Sequence, residues 1–228
     1  MSAPLEFRDW HTSFEPGRIA VSVYSAQADN RRYVAAAAAQ ASVPVHVDVI
    51  LARRSRATDA RWEHVGVSMD DLDDIAGFGG AIDVHLMVLG EQDDSVDTAL
   101  QQTLARVMLV RPRSVSLSSE LLNRTSAMAA ELRSLGVAVW LEIGCREPVD
   151  ILEDFGDEVD GVLVMLIETG TSQRAQVQLL AKIAPIRART AADFGIGIDG
   201  GVTKEIAAQA LRAGASIAVS GRALLAAN

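Results

Sequence analysis

The chain contains a single cysteine, Cys145, in 228 residues. One thiol closes no internal disulfide and offers no thiolate cluster to a zinc or iron–sulfur centre, so folding must rest on burial. Long apolar runs are missing too. The longest, such as Val162 to Ile167, fall far short of the roughly 18–20 residues that cross a bilayer. Positive charge is in deficit: 21 Lys and Arg face 30 Asp and Glu, a formal charge of −9, and that mean field repels nucleic-acid phosphate at long range. Met1 to Gly17 carries Glu6, Asp9 and Glu15 and lacks the apolar segment of a secretory signal. The expectation is a cytoplasmic protein with neither membrane nor nucleic acid as partner. No Pro/Ser/Gly-rich linker divides the chain, so residues 18–228 read as one domain behind an N-terminal extension, 1–17.

What the chain has is an alternation of short apolar runs with stretches of helical period. Eight runs have strand length: Ile19–Val23, Val43–Ile50, Ala81–Val88, Ser114–Leu117, Ala138–Ile143, Gly161–Ile167, Gly195–Ile198 and Ser216–Val219. Between them the periodicity predicts helices over Asn30–Ala41, Asp70–Phe78, Ser95–Met108, Ser119–Leu135, Pro148–Phe155, Ser172–Ala192 and Thr203–Ala213. Eight βα units in about 200–250 residues are the arithmetic of a (β/α)8 TIM barrel, whereas an open doubly wound sheet usually needs fewer strands. After the eighth run only Arg222 to Asn228 remain, too short for a full closing helix. That stretch of wall is expected to be bare, or covered by the N-terminal extension or by a second copy of the chain.

Within Val45-His46-Val47-Asp48-Val49 the polar pair shares one strand face and the valines the other. In a parallel barrel the valines pack on helices, which leaves an ionisable pair inside. Burying such a pair without partners is costly. Partners are at hand in His85, between Val84 and Leu86, and Asp199, which follows Gly195–Ile198. Two imidazoles and two carboxylates suit one divalent ion such as zinc, iron(II), manganese or cobalt. The alternative is a set of buried polar residues satisfied by hydrogen bonds. Glycines 170, 200, 201 and 221 follow strand runs, where backbone amides can approach a phosphate or simply make tight turns.

These residues resemble the pentulose-phosphate 3-epimerases, the ribulose-phosphate 3-epimerase family, from about Arg18 to Leu225. The likeness is carried by Val21-Ser22-Val23-Tyr24-Ser25-Ala26-Gln27, His46-Val47-Asp48, Ile82-Asp83-Val84-His85-Leu86-Met87-Val88, Val162-Leu163-Val164-Met165 with Glu168 and Gly170, Ile198-Asp199-Gly200-Gly201-Val202, and Ala213-Gly214-Ala215 through Gly221. The resemblance implies a ribulose-phosphate-binding barrel that epimerises a ketopentose 5-phosphate through an ene-diolate. It implies His46, Asp48, His85 and Asp199 as metal ligands, with Asp48 and Asp199 also removing and returning the proton. It implies Ser22 as a substrate contact, Met87 and Met165 as an apolar floor, and Gly170, Gly200, Gly201 and Gly221 around the phosphate. Core packing is the other reading of both methionines.

The chain also departs from that pattern. Val49 to Arg56 replaces the family's mouth loop, bringing Arg53, Arg54 and Arg56, which suit a second anionic group or simply a solvated loop. The phosphate loop is shortened to Thr169-Gly170-Thr171-Ser172-Gln173, and Arg222 stands where the family has a serine, a cation available to phosphate. Ser118 with Glu120 replaces a histidine and glutamate, and Val21 and Gln27 replace a proline and an aspartate. Two other functions stay open: a related barrel enzyme acting on another phosphosugar, and a barrel that binds such a ligand without catalysis.

Overall fold

The computed structural model describes residues 7–53, 61–90, 93–168, 171 and 173–225. Eight parallel strands close into a barrel: β1 (Ile19–Ser22), β2 (Val45–Arg53), β4 (Ile82–Leu89), β5 (Ser114–Leu117), β6 (Ala138–Ile143), β7 (Gly161–Met165), β8 (Gly195–Asp199) and β9 (Ile217–Ser220), with β1 pairing both β9 and β2. All eight expected strands form. A ninth, β3 (Trp62–His64), was not foreseen; it runs antiparallel to an extended β2, with Leu51 opposite His64. Its continuation, with Val65 N–H donating to Ile50 O and Val67 N–H to Asp48 O, occupies the β2 edge above the short β1. His46 and Asp48 therefore lie within β2, short of its carboxyl end.

Helices α1 (Arg31–Gln40), α2 (Met69–Ala76), α3 (Ser95–Val110) and α7 (Lys204–Ala213) fall close to their predicted spans. Ser68 Oγ accepts from Asp71 N–H at 3.1 Å to cap α2, and Gly214, at φ 110°, ends α7. Ser119–Leu135 is instead two helices, α4 (Ser119–Arg124) and α5 (Ser126–Ser134). Thr125 breaks them because its hydroxyl donates to Leu121 O at 2.6 Å, competing with the backbone ladder. Pro148–Phe155 winds as a 3-10 helix, Val149–Asp154. Ser172–Ala192 yields a 3-10 segment, Val177–Lys182, and then α6 (Ile183–Arg189). Pro185 accounts for the late start: without an N–H it fits the first turn, not a helix interior.

The wall beside the last strand is covered by the N-terminal segment. Phe7 bridges Leu225, Arg8 N–H donates to Leu224 O, and the buried Trp10 donates from Nε1 to Ala223 O at 3.0 Å. Lys204 at the start of α7 reaches Ser13 Oγ at 3.3 Å. Among the described residues no helix is long and apolar enough to cross a membrane.

Strand alternation sorts the barrel into two regions. Val45, Val47, Val49, Val84, Leu86, Val115, Val139, Leu141, Val162, Val164, Ile196 and Ile198 join the main core, toward the helices. Inside, Trp140 packs with Ala20, Ile217 and Val219. A methyl group on Gly161 would lie 2.6 Å from the Trp140 ring, one on Gly197 2.9 Å from it, and one on Gly195 would collide with it. Three glycines on neighbouring strands thus make room for one indole that plugs the barrel floor. Gly161→Ala is expected to lower unfolding free energy by about 1–3 kcal/mol, the usual cost of overpacking. In a Trp140→Leu background, where the ring is gone, the same change should cost much less; equal costs in denaturant titrations of both backgrounds would remove the plug from this account.

Candidate metal centre and cavity

Asp48 pairs in register with His85 across β2 and β4, while Met165 pairs with Asp199 across β7 and β8. The same alternation that sends the valines outward brings His46, Asp48, His85 and Asp199 together at one end of the barrel, with donor atoms all within 4.8 Å of one another. His46 Nε2 lies 3.4 Å from Asp48 Oδ1 and 4.0 Å from Asp199 Oδ2; His85 Nδ1 lies 3.5 Å from Asp48 Oδ1. Both ring nitrogens are buried and have no hydrogen-bond partner among the described residues. Separations of this size are too long for good N–H···O bonds. The 3.4 and 3.5 Å separations match the chords of about 3.0–3.5 Å spanned by ligands on one ion with bonds of about 2.0–2.2 Å, and the 4.0 Å one is longer.

The opposite oxygen of each carboxylate is tied back. Ser22 Oγ donates to Asp48 Oδ2 at 3.1 Å, and Gly200 N–H donates to Asp199 Oδ1 at 2.7 Å. This leaves Asp48 Oδ1 and Asp199 Oδ2 turned toward the histidines. On the outer side of His85, Nε2 lies 2.9 Å from Glu142 Oε2, both side chains being buried. Two orphaned imidazole nitrogens and two half-held carboxylates form a mixed nitrogen and oxygen donor set that fits one divalent transition ion.

Charge in this nest is strongly coupled to burial. Burial would raise Asp48, but His46 and His85 outweigh it and hold the carboxyl well below its ordinary range. Burial dominates at Asp199 and, despite His46, pushes it up. Burial would lower both imidazoles; Asp48 instead raises His46, and Glu142 with Asp48 lifts His85 to about 10. The carboxylates demand positive charge at this spot.

Above the nest opens a cavity of about 810 Å3. Asp48, His85 and Asp199 form its base with Ser22, Met87 and Met165, the two methionines being buried, while His46 stands behind them. Gly200, Gly201, Gly221 and Arg222 line the rim. Gly200 needs its conformation, φ 106°, and a methyl there would come 2.7 Å from Ile167; at Gly221 one would collide with Ser25 Oγ. Gly170, like Arg54 and Arg56, lies outside the described residues. Arg53 is on β2 and pairs with Asp93 at 2.7 Å, both side chains being about half exposed. Ser118 caps α4, accepting from Leu121 N–H at 3.3 Å, and Glu120 faces Arg124, so neither joins the cavity.

Several residues around the nest and the cavity escaped the sequence reading. Glu142 stands alone in an apolar strand, two residues after Trp140 and hence on the same inward face; that parity was the available signal. Arg174 has none, because the sequence places it inside the helix expected over Ser172–Ala192. Both Arg174 and Arg222 border the cavity without a hydrogen-bond or ion-pair partner among the described residues. They flank one turn: Gly201 packs on Ala175, next to Arg174, while Ser220 Oγ donates to Val202 O at 2.8 Å, next to Gly221 and Arg222. Tyr24 and Val65, half exposed, complete the opposite wall.

Comparison with known proteins agrees with this layout. Ribulose-phosphate 3-epimerase from Bacillus subtilis is 30% identical over 149 residues, 63% of this chain and 64% of that one. The Eremothecium gossypii protein of the same name is 32% identical over 97 residues, 42% of this chain and 40% of its own. The chain thus aligns with somewhat less than two thirds of the first relative and two fifths of the second. In fold, it is similar to a mutant tryptophan synthase α-subunit from Pyrococcus furiosus, with a TM-score of 0.63 at 12% identity over 92% of this chain and 89% of that one. A phosphodiesterase from Oleispira antarctica, solved with its product sn-glycerol-3-phosphate, superposes with a TM-score of 0.56 at 15% identity over 93% and 95%. The model of the Ribulose-phosphate 3 epimerase family matches residues 18–225, nearly the whole barrel, and with that match the chain belongs to the ribulose-phosphate 3-epimerase family.

Proposed function

We propose that the protein is a metal-dependent epimerase of a ketopentose phosphate, a cytoplasmic isomerase that inverts the carbon next to the ketone. The observation that carries this reading is the convergence of four donors from three strands, two of them buried imidazole nitrogens without a hydrogen-bond partner among the described residues. His46, Asp48, His85 and Asp199 would hold the ion, which when bound supplies Lewis acidity that makes a proton beside a carbonyl acidic.

The rest falls to the chain's own groups. Inversion requires one group to remove the proton from one face and another to return one to the opposite face of a flat ene-diolate. Asp48 and Asp199 come from β2 and β8, and each has one oxygen steadied, by Ser22 and by the Gly200 amide, so that the other is aimed. Ser22 also borders the cavity, within reach of a substrate hydroxyl. Met87 and Met165 give the flat intermediate an apolar seat and keep water from quenching it. At the rim, the Gly200, Gly201 and Gly221 backbone leaves room for a phosphate, and the guanidinium groups of Arg222 and Arg174 supply the charge that meets it.

The rebuilt mouth favours a second reading, epimerisation or isomerisation of a larger phosphosugar. Val65, directly after β3, lines the cavity beside the replaced mouth segment, and about 810 Å3 lies toward the upper part of the ~300–1,000 Å3 range of small-molecule pockets. Incubating the protein in deuterium oxide with a panel of ketose phosphates separates the cases: an epimerase incorporates deuterium at one carbon without breaking a carbon–carbon bond. Incorporation with no sugar phosphate would leave a binding barrel. Asp199→Asn is expected to abolish exchange while circular dichroism and melting stay near those of the parent, and near-normal turnover would refute the assignment. Protein prepared without chelator should carry about one equivalent of zinc, iron, manganese or cobalt by elemental analysis, and chelation should abolish exchange until one of these ions is restored. Arg222→Ala and Arg174→Ala should each raise KM severalfold with a smaller change in kcat, and KM should climb with ionic strength more steeply for the parent than for the variants; unchanged KM in both would free the arginines from phosphate.

A further inference from the structure

His85 has two ring nitrogens and two carboxylates to face. Its Nε2 meets Glu142 Oε2 at 2.9 Å, and its Nδ1 points into the nest, 3.5 Å from Asp48 Oδ1, buried and without a hydrogen bond among the described residues. An ionised carboxylate only accepts hydrogen bonds, so Glu142 requires the proton of a neutral imidazole to sit on Nε2. The lone pair is then left on Nδ1, the atom that faces the other three donors.

The fold goes to some length to make this contact. Glu142 is on β6 and His85 on β4, with β5 between them. On the inner face β5 presents Ser114 and Ser116, and Ser116 pairs in register with both His85 and Trp140. Small side chains there let the carboxylate reach across a whole strand. A buried carboxylate also carries a desolvation cost that an apolar residue at position 142 would not. Asp83, a buried inward acid on β4, is met by the Arg113 guanidinium and the Ser114 hydroxyl.

We propose that Glu142 is a positioning residue of the metal centre: it fixes the Nε2–H form of His85, turns Nδ1 into the donor, and through its charge strengthens that donor. This rests on the metal reading above, and says which atom of His85 binds and why. Carboxylates behind metal-binding imidazoles change affinity 10–100-fold when removed. Nothing in this role requires Glu142 to touch the substrate.

The test uses the full chain with Zn2+. Chelator competition should give Glu142→Leu a zinc affinity 10–100-fold below the parent, and Glu142→Gln, whose amide oxygen still accepts from Nε2–H, a smaller loss. Melting of the metal-free proteins separates lost affinity from lost fold, since a variant that melts near the parent yet binds zinc weakly has lost donor quality alone. Nitrogen-15 spectra of the zinc-loaded parent, which need no variant, should assign His85 as zinc-bound through Nδ1 and protonated at Nε2. Zinc bound through Nε2, or a folded Glu142→Leu with affinity within twofold of the parent, overturns the role of Glu142 while leaving the metal centre standing. A parent chain that binds no zinc, iron, manganese or cobalt overturns both readings.

Discussion

Putting Asp48, Asp199 and Glu142 around two imidazoles at one end of a barrel is tolerable only if positive charge is supplied there. The protein meets that requirement unevenly. Ser22 and the Gly200 amide each hold one carboxylate oxygen, Glu142 holds one imidazole nitrogen, and the remaining donor atoms are left facing one another. A purely structural polar core would be expected to close those gaps with hydrogen bonds, because an unpaired buried polar atom costs about 1–3 kcal/mol. Here His46 Nε2 and His85 Nδ1 are both left open among the described residues, and at separations that suit a shared ion. The frustration is local and directed, as expected where a fold gives up stability to prepare a site.

The barrel can hold so polar an end because the other end is sealed. Trp140 fills the floor against Ala20, Ile217 and Val219, and glycines on β7 and β8 yield the space that the indole takes. Two residues further along the same strand, Glu142 turns to the opposite task. One strand thus closes the apolar floor and reaches the polar nest, so a shift of β6 register by one residue would lose both at once. That coupling ties folding of the floor to geometry of the site without any direct contact between the indole and the donors.

How much of this was readable in the chain varies with the physics behind each feature. Parallel strands buried on both faces leave continuous apolar runs, which is why all eight barrel strands and the inward pair His46 and Asp48 were legible. Asp199 and His85 stood out as polar interruptions of such runs. Glu142 is the same kind of interruption, but it sits one residue from the end of Ala138–Ile143, where a single carboxylate also suits the solvated end of an apolar run; only its parity with Trp140 marks it as inward. β3 was illegible for a different reason: three residues, Trp62 to His64, gain their strand character from the edge of β2 that the short β1 leaves open, a tertiary cause with no local pattern. The segment before α6 misled because its composition suits a helix, while Gln176 N–H is engaged by Leu166 O at 2.7 Å and Lys182 Nζ is drawn to the carbonyls of Gly144, Cys145 and Glu147.

The rim bears on what kind of recognition the site can exert. Backbone amides of glycine turns bind an anion by shape, with donors fixed by the fold. Guanidinium groups on long side chains bind it by charge, losing rotamer freedom as they close. Whereas Arg53, Arg113, Arg133 and Arg189 are already matched to carboxylates, Arg174 and Arg222 border the cavity with no such partner among the described residues. Their charge also opposes the −9 of the whole molecule at the one place where an anionic substrate would enter. Recognition of that kind tolerates variation in the length of the ligand more readily than a rigid amide cradle does. Under the proposed function, a charge-based grip at Arg174 and Arg222 would hold the phosphate end of the substrate more loosely than the nest holds its carbonyl end.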